Sequence, residues 1–112
     1  MAREETEKEV SSLADAGYHL LMKEVDTSSC SSAIEWILEA NFITTEKRLA
    51  ELNLVICSPG GDLTACFALI DVMRGSAIPI KTTGLGLIAS CGLLLFISGT
   101  KGKRTLTPNT SI

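Results

Sequence analysis

The chain has 112 residues, of which 46% are hydrophobic, and a formal net charge of −3. This length is enough for one domain or for a portion of a larger one. The negative charge and the few aromatic residues (one Trp, one Tyr and three Phe) disfavour a nucleic-acid partner, which requires a basic, aromatic surface.

The first predicted elements are an arm, a strand and a helix. Residues 1–17 are rich in Glu, Lys and Ser, and they predict a charged N-terminal arm without the apolar segment of a secretory signal. Tyr18–Val25 predicts a strand, and Asp26 begins a polar turn that can cap a helix. The helix is expected over Ser32–Phe42, where apolar residues recur at helical spacing.

A second strand and helix follow, joined by a glycine pair. Leu52–Cys57 is a nearly continuous apolar run, which predicts a strand covered on both faces, as in parallel sheets. Pro59 ends this strand, and Gly60-Gly61 gives the backbone freedom to turn. Asp62 is the predicted N-cap of a helix over Leu63–Arg74.

The remaining chain predicts a third strand and a third helix. Ile78–Thr83 is expected to be the strand, Gly84-Leu85-Gly86 a turn, and Ala89–Ile97 a strongly apolar helix closed by Gly99. Thr105–Ile112 is expected to begin another extended segment. The alternation of strands and helices with short connections predicts an α/β domain with a mainly parallel sheet.

Two features of composition bear on location and cofactors. The nineteen residues from Thr82 to Thr100 carry no charge, but their glycines and hydroxyls predict a buried strand–turn–helix and no membrane span. The four cysteines form no CxxC pair and only one histidine is present, so no metal site is predicted. Reduced thiols in the cytoplasm are expected.

Two glycine-bearing segments carry the chemistry: Cys57–Gly61 and Gly86–Gly92. Both follow predicted strands, and the carboxyl ends of parallel strands meet at one edge of a sheet, where ligands bind. The hydroxyl of Ser90, the N–H of Cys91 and an N–H of the first glycine turn would form half of a serine hydrolase site. The missing half is the base, because the only histidine is His19 and none follows Ser90.

Structural explanations of the same residues remain open. A serine at a helix start is commonly an N-cap, and a glycine pair after a strand is commonly an ordinary turn. Two other catalytic assignments are weaker. Cys91 is a poor nucleophile in apolar surroundings, and His19 stands alone on a predicted strand.

Several motifs in order resemble one family, the ClpP proteolytic subunits of the Clp protease. Ser58–Ala65 (SPGGDLTA) is similar to the family's SPGGSVTAG, Ala68–Met73 (ALIDVM) to AIYDTM, and Gly86–Gly92 (GLIASCG) to GQAASMG. Gly99–Arg104 (GTKGKR) is similar to GAKGKR, and Pro108-Asn109 to the LPN that follows it. The resemblance covers nearly all of the chain past the arm.

The resemblance implies a crotonase-like fold of repeated strand–helix units and the activity of a serine-type endopeptidase. It implies that Ser90 is the nucleophile and that the backbone N–H groups of Gly61 and Cys91 bind the oxyanion. Peptide substrate would lie extended beside the segment after SPGG, paired like an added strand. The residues implied to contact the peptide are Gly60, Asp62 and Leu63.

The resemblance also implies partners and a missing part. Family members form two stacked heptameric rings, and a hexameric AAA+ unfoldase that consumes ATP feeds them unfolded polypeptides, so no cofactor of this chain's own is expected. The expected organisation is an arm over 1–17 and the N-terminal portion of a protease domain over 18–112, incomplete at the C-terminus. The family's catalytic histidine and aspartate come after the position of Ile112, so this chain is expected to be nearly inactive by itself.

Departures from the family pattern leave two alternatives. Leu87, Ile88 and Cys91 replace the usual Gln, Ala and Met, and Leu93 replaces a common Ala, which would reshape the substrate pocket. These changes also fit a non-catalytic ring subunit, which predicts no labelling by a fluorophosphonate. A crotonase-like acyl-CoA enzyme would instead bind a CoA thioester and tolerate loss of the Ser90 hydroxyl.

Overall fold

A computed structural model describes residues 12–112 and shows four strands alternating with three helices. The strands form one parallel sheet in the order β1-β2-β3-β4, so the predicted α/β class is confirmed. The elements in chain order are β1 (Tyr18–Met22), α1 (Thr27–Phe42), β2 (Leu52–Ser58), α2 (Leu63–Gly75), β3 (Ile80–Ile88), α3 (Cys91–Ile97) and β4 (Arg104–Leu106).

The predicted arm falls mostly outside the described residues. Residues 1–11 lie outside them, and residues 12–17 form turns that lead into β1. The division of the chain into an arm and a domain stays a prediction.

The helices pack side by side on one face of the sheet. Crossovers between parallel strands are right-handed, so an unbroken strand order places successive helices on the same side. α1 packs on α2, and α2 packs on α3. The core between these helices and the sheet includes Leu21, Leu54, Ile56, Leu69 and Leu95, each 1% exposed or less.

The opposite face of the sheet explains one wrong prediction. Within residues 12–112, β2 is fully covered on one face only: its residues alternate between buried and half-buried. Asn53, Val55 and Cys57 are the half-buried ones. The apolar run indicated a strand correctly, but the one-sided helix layer leaves the second face of the strand partly open.

Two helix starts depend on aspartate caps. The Asp26 carboxylate accepts a hydrogen bond from the Ser29 N–H at 2.8 Å, and the Ser29 hydroxyl accepts one from the Asp26 N–H at 3.0 Å. This reciprocal cap starts α1 at Thr27, five residues before the predicted start. The Asp62 carboxylate accepts from the Ala65 N–H at 2.8 Å, so the predicted cap of α2 is confirmed.

The predicted turn at Gly84–Gly86 is wrong, because β3 continues to Ile88. Ile56 pairs with Gly84 and Ser58 pairs with Ile88, so three residues of β3 face one residue of β2. Gly86 adopts a φ of +59° within this irregular stretch. The glycines therefore serve a bulge in a continuous strand, a use that local sequence does not distinguish from a turn.

The charge-free stretch is a strand followed by a helix, as predicted. Its residues form most of β3 and all of α3. Within residues 12–112, no helix is long and apolar enough to cross a membrane.

The last segment is only partly extended. β4 has three residues and is followed by a turn. The chain then returns to the sheet, where Ser111 bridges Leu87. The Ser111 N–H donates to the Gly86 carbonyl at 2.7 Å, and the Ile88 N–H donates to the Ser111 carbonyl at 2.9 Å.

Candidate active site

Ser90 lies in a strained turn between β3 and α3. Its φ of 52° and ψ of −122° make it the only non-glycine residue with positive φ in the described part of the chain. The predicted helix start at Ala89 is wrong for this reason, and α3 begins at Cys91. A serine held at a sharp strand-to-helix turn is typical of a hydrolase nucleophile, since the turn exposes the hydroxyl.

The Ser90 hydroxyl does not cap α3. Its side chain makes no capping hydrogen bond, and the residue is exposed. The simple N-cap explanation of this serine is therefore not supported. An exposed hydroxyl at a strained turn is free to react with a ligand at the sheet edge.

The glycine turn after β2 packs directly on Ser90. A Cβ atom added to Gly60 would lie 2.7 Å from the Ser90 Cβ and 3.1 Å from the Cys91 nitrogen. Gly60 also has a φ of +104°, so both conformation and space require glycine here. The structure therefore brings together the two segments that the sequence singled out.

The peptide unit between Gly60 and Gly61 orients one free N–H. Its carbonyl, on Gly60, accepts a hydrogen bond from the Val25 N–H at 2.9 Å. In a trans peptide the N–H points opposite to the carbonyl, so the Gly61 N–H points away from Val25. This N–H has no hydrogen-bond acceptor among residues 12–112.

The peptide unit between Ser90 and Cys91 orients a second free N–H. Its carbonyl, on Ser90, accepts from the N–H groups of Leu93 and Leu94 at 3.0 and 3.2 Å. The Cys91 N–H therefore points out of the start of α3, and it too has no acceptor within the described residues. The Cys91 thiol donates to the Gly61 carbonyl at 3.4 Å, so the residues that carry the two donors are in contact.

Asp62 and Leu63 extend the glycine turn into α2. The Asp62 carboxylate is used as the helix cap, and its N–H donates to the Val25 carbonyl at 2.7 Å. Leu63 is 52% exposed. Of the residues expected to contact a peptide, Leu63 thus offers an apolar side chain, whereas Gly60 is buried against Ser90.

His19 is not part of this constellation. It lies on β1 opposite Leu54, and its ring stacks on Trp36 with centroids 5.2 Å apart. Burial, and then the charge of Lys23, lower its pKa. The one imidazole of the chain is thus engaged in packing against Trp36 on an outer strand of the described sheet.

The four cysteines are free thiols. Burial raises the pKa of Cys66 to about 12, so this thiol stays protonated at neutral pH. In the part of the chain that the structure describes, no group of three His, Cys, Asp or Glu side chains is arranged to hold a metal ion.

Sequence reasoning missed Val25 as part of the site. Val25 is 1% exposed and forms an isolated parallel bridge with Gly61. The sequence predicts it as the last residue of β1, but the strand ends at Met22. The only signal in the sequence that could have indicated Val25 is its position directly before Asp26, the N-cap of α1.

Together the fold and the site define an α/β protein with a strained serine next to two unpaired backbone N–H groups. A family model described as Clp protease matches residues 2–112. The chain belongs to the Clp protease family, which confirms the resemblance found in the sequence.

Three curated relatives have names of the form ATP-dependent Clp protease proteolytic subunit 2. The protein of Thermobifida fusca is 42% identical over 74 residues, which cover 66% of this chain and 36% of the relative. The protein of Nocardia farcinica is 35% identical over 108 residues, which cover 89% of this chain and 52% of the relative. The protein of Corynebacterium diphtheriae is 36% identical over 108 residues, which cover 89% of this chain and 53% of the relative. The chain thus spans about half the length, or less, of these relatives.

Proposed function

We propose that the chain is the nucleophile-bearing portion of a Clp-type serine endopeptidase. Ser90 is the nucleophile, and the N–H groups of Gly61 and Cys91 bind the oxyanion. The observation that supports this proposal is the packing of Gly60 on Ser90, because each of these residues directly precedes one whose N–H has no acceptor among residues 12–112.

The proposed reaction has two steps. The Ser90 oxygen attacks the peptide carbonyl carbon while a base takes the hydroxyl proton, and the carbonyl oxygen becomes an oxyanion between the two N–H groups. The C–N bond then breaks, the amine leaves with the proton from the base, and an acyl-serine remains. Water hydrolyses the acyl-serine by the same route.

The base is the part that this chain does not supply, since His19 is stacked on Trp36. Loss of the base in a serine protease lowers kcat by about 10⁶. An intact oxyanion hole retains part of the catalysis, because removal of one donor costs about 10²–10³. We therefore expect the chain alone to be nearly inactive while its oxyanion hole is formed.

The proposed assembly follows the family resemblance. The substrates are unfolded polypeptides, which lie extended beside the segment that follows Gly61. The chain works in a homo-oligomeric ring of the family's heptameric type, with an AAA+ unfoldase that consumes the ATP. The words "ATP-dependent" and "proteolytic subunit" in the relatives' names support this proposal, and we place the complex in the cytoplasm.

Chemical rescue tests the proposed function. Because Ser90 is exposed, imidazole from solution can reach its hydroxyl and act as the missing base. The 112-residue chain should then hydrolyse the p-nitrophenyl ester of a short peptide at a rate that rises with imidazole concentration. The variant Ser90→Ala should show only the rate that the same imidazole concentration gives without protein, since imidazole itself hydrolyses p-nitrophenyl esters.

The matched control is Ser98→Ala, at the other end of α3. The Ser98 hydroxyl donates to the Leu94 carbonyl at 2.7 Å, and its loss leaves the site intact. Ser98→Ala should keep the rescued rate. Equal rates for the wild type and Ser90→Ala would contradict the proposal and favour a non-catalytic ring subunit.

A further inference from the structure

We propose that the Cys91 side chain is a positioning residue that sets the spacing between the two oxyanion donors. The inference rests on the proposed function and adds a role for the thiol. Cys91 is 1% exposed, and its thiol donates a hydrogen bond to the Gly61 carbonyl at 3.4 Å. The residue thus supplies one donor through its backbone and holds the residue of the other donor through its side chain.

The contact is the only hydrogen bond that joins the glycine turn to residues 90–92 among the described residues. The other polar groups of the turn bond elsewhere. The Gly60 carbonyl accepts from Val25, and the Asp62 N–H donates to the Val25 carbonyl. Without the thiol, hydrogen bonds would fix the turn to Val25, whereas on the side of Ser90 the turn would be held by the packing of Gly60 and by the bond from the Ala89 N–H to the Ser58 carbonyl at 3.0 Å, one residue before the turn.

A second thiol supports this arrangement from the core. The Cys66 thiol donates to the Cys91 carbonyl at 3.6 Å, and Cys66 is fully buried on α2. The Cys91 backbone is therefore held on its carbonyl side while its N–H remains free. Since a thiol is a weak donor, the contact stabilises the fold little, and its main effect is geometric.

The first test measures the turn and is independent of catalysis. The Asp62 N–H belongs to the same peptide unit as the Gly61 carbonyl, so its hydrogen exchange reports whether that unit is held. Exchange of the Asp62 amide, relative to amides of β2, should be at least about threefold faster in Cys91→Ala. Cys91→Ser keeps a donor and should exchange at the wild-type rate.

Two further variants separate hydrogen bonding from packing. Cys91→Val removes the donor without leaving a cavity, and it should behave like Cys91→Ala. Cys66→Ala removes a buried thiol from the same region but leaves the Gly61 contact in place, so the Asp62 exchange should stay at the wild-type rate relative to β2.

The second test is the imidazole-dependent hydrolysis of the same peptide ester. A donor displaced from the oxyanion lowers kcat and leaves substrate binding intact. Removal of one donor outright costs about 10²–10³ in kcat, so Cys91→Ala should lose about tenfold in kcat with KM unchanged. Cys91→Ser should restore the rate.

The outcomes distinguish this inference from the proposed function. Unchanged Asp62 exchange in Cys91→Ala and Cys91→Val, or faster exchange in Cys91→Ser as well, overturns the positioning role whatever the hydrolysis shows. If the Asp62 amide exchanges faster in Cys91→Ala and Cys91→Val but at the wild-type rate in Cys91→Ser, the thiol hydrogen bond positions the glycine turn, as proposed. If Ser90→Ala then hydrolyses the peptide ester as fast as the wild type, the proposed function is wrong, but the positioning of the glycine turn by the Cys91 thiol is still supported.

Discussion

At the scale of single residues, the site depends on a position, Gly60, where there is no space for a side chain. Gly60 combines a φ of +104° with a surface pressed against Ser90. Glycine is the only residue that meets both demands without displacing Ser90. The first glycine of the SPGG motif is thus explained by its contact with Ser90, and the second by the close approach of Gly61 to the Val25 backbone.

Replacement of Gly60 by alanine tests this explanation. An L-residue in a left-handed conformation costs roughly 1–2 kcal/mol, and the new Cβ must also push against Ser90. We expect Gly60→Ala to lower the free energy of unfolding by more than about 2 kcal/mol, measured by urea denaturation, and to abolish the imidazole-dependent hydrolysis.

Two other glycines provide matched controls. Gly102 has a φ of +83° but open space around it, so Gly102→Ala should cost only about 1–2 kcal/mol. Gly75 ends α2 with open space and without a positive φ, and Gly75→Ala should be neutral or stabilising by up to about 1 kcal/mol. A Gly60→Ala chain as stable as Gly102→Ala would argue against close packing on Ser90.

The sequence was informative at this scale through its two glycine-bearing segments and through the family resemblance. It indicated that Ser90, Gly61 and Cys91 belong to one site, and the structure places them together. It did not predict the strained backbone of Ser90 or the bond from the Cys91 thiol, because each depends on two segments that meet only in the folded chain.

At the scale of elements, β1 shows how sharply the two faces of the sheet differ. Leu21 is 1% exposed beneath the helices, whereas its neighbour Leu20 is 47% exposed on the open face. Successive residues of a strand point to opposite faces. Two adjacent leucines should therefore have very different effects on stability.

We expect Leu21→Ala to lower the free energy of unfolding by about 2–5 kcal/mol, since it leaves a cavity in the core. Leu20→Ala should change it by about 0.5 kcal/mol or less, as for a surface position. Urea denaturation of both variants measures the difference. Similar losses for the two would contradict the one-sided helix layer or the register of β1.

Most elements could be predicted because their local signals agree. Apolar runs predict the strands, and Asp62 predicts the start of α2. The errors arise where the same local sequence pattern is compatible with two different structures. Polar residues after Asp26 are part of α1 because of the reciprocal cap with Ser29, and the glycines near Gly86 form a bulge because Ser111 and β2 pair on either side of β3.

At the scale of the whole molecule, one parallel sheet with helices on one face carries the serine and both donors at the carboxyl ends of its strands. The short connections of the sequence predict this class of fold, because right-handed crossovers leave few other arrangements. The chain spans about half the length, or less, of the three subunit 2 relatives. The only histidine of the chain, His19, is stacked on Trp36.

The central claim is that Ser90 becomes acylated, and mapping of the acyl group tests it most directly. The chain is incubated with the peptide p-nitrophenyl ester and imidazole, the imidazole is removed, and the acylated residue is identified by mass spectrometry of proteolytic fragments. Without a base the acyl-serine should persist, because deacylation needs the same proton transfer. We predict that Ser90 is acylated in the wild type and in Ser98→Ala but not in Gly60→Ala. Acylation spread over lysines and cysteines, with Ser90 unmodified, would contradict the account.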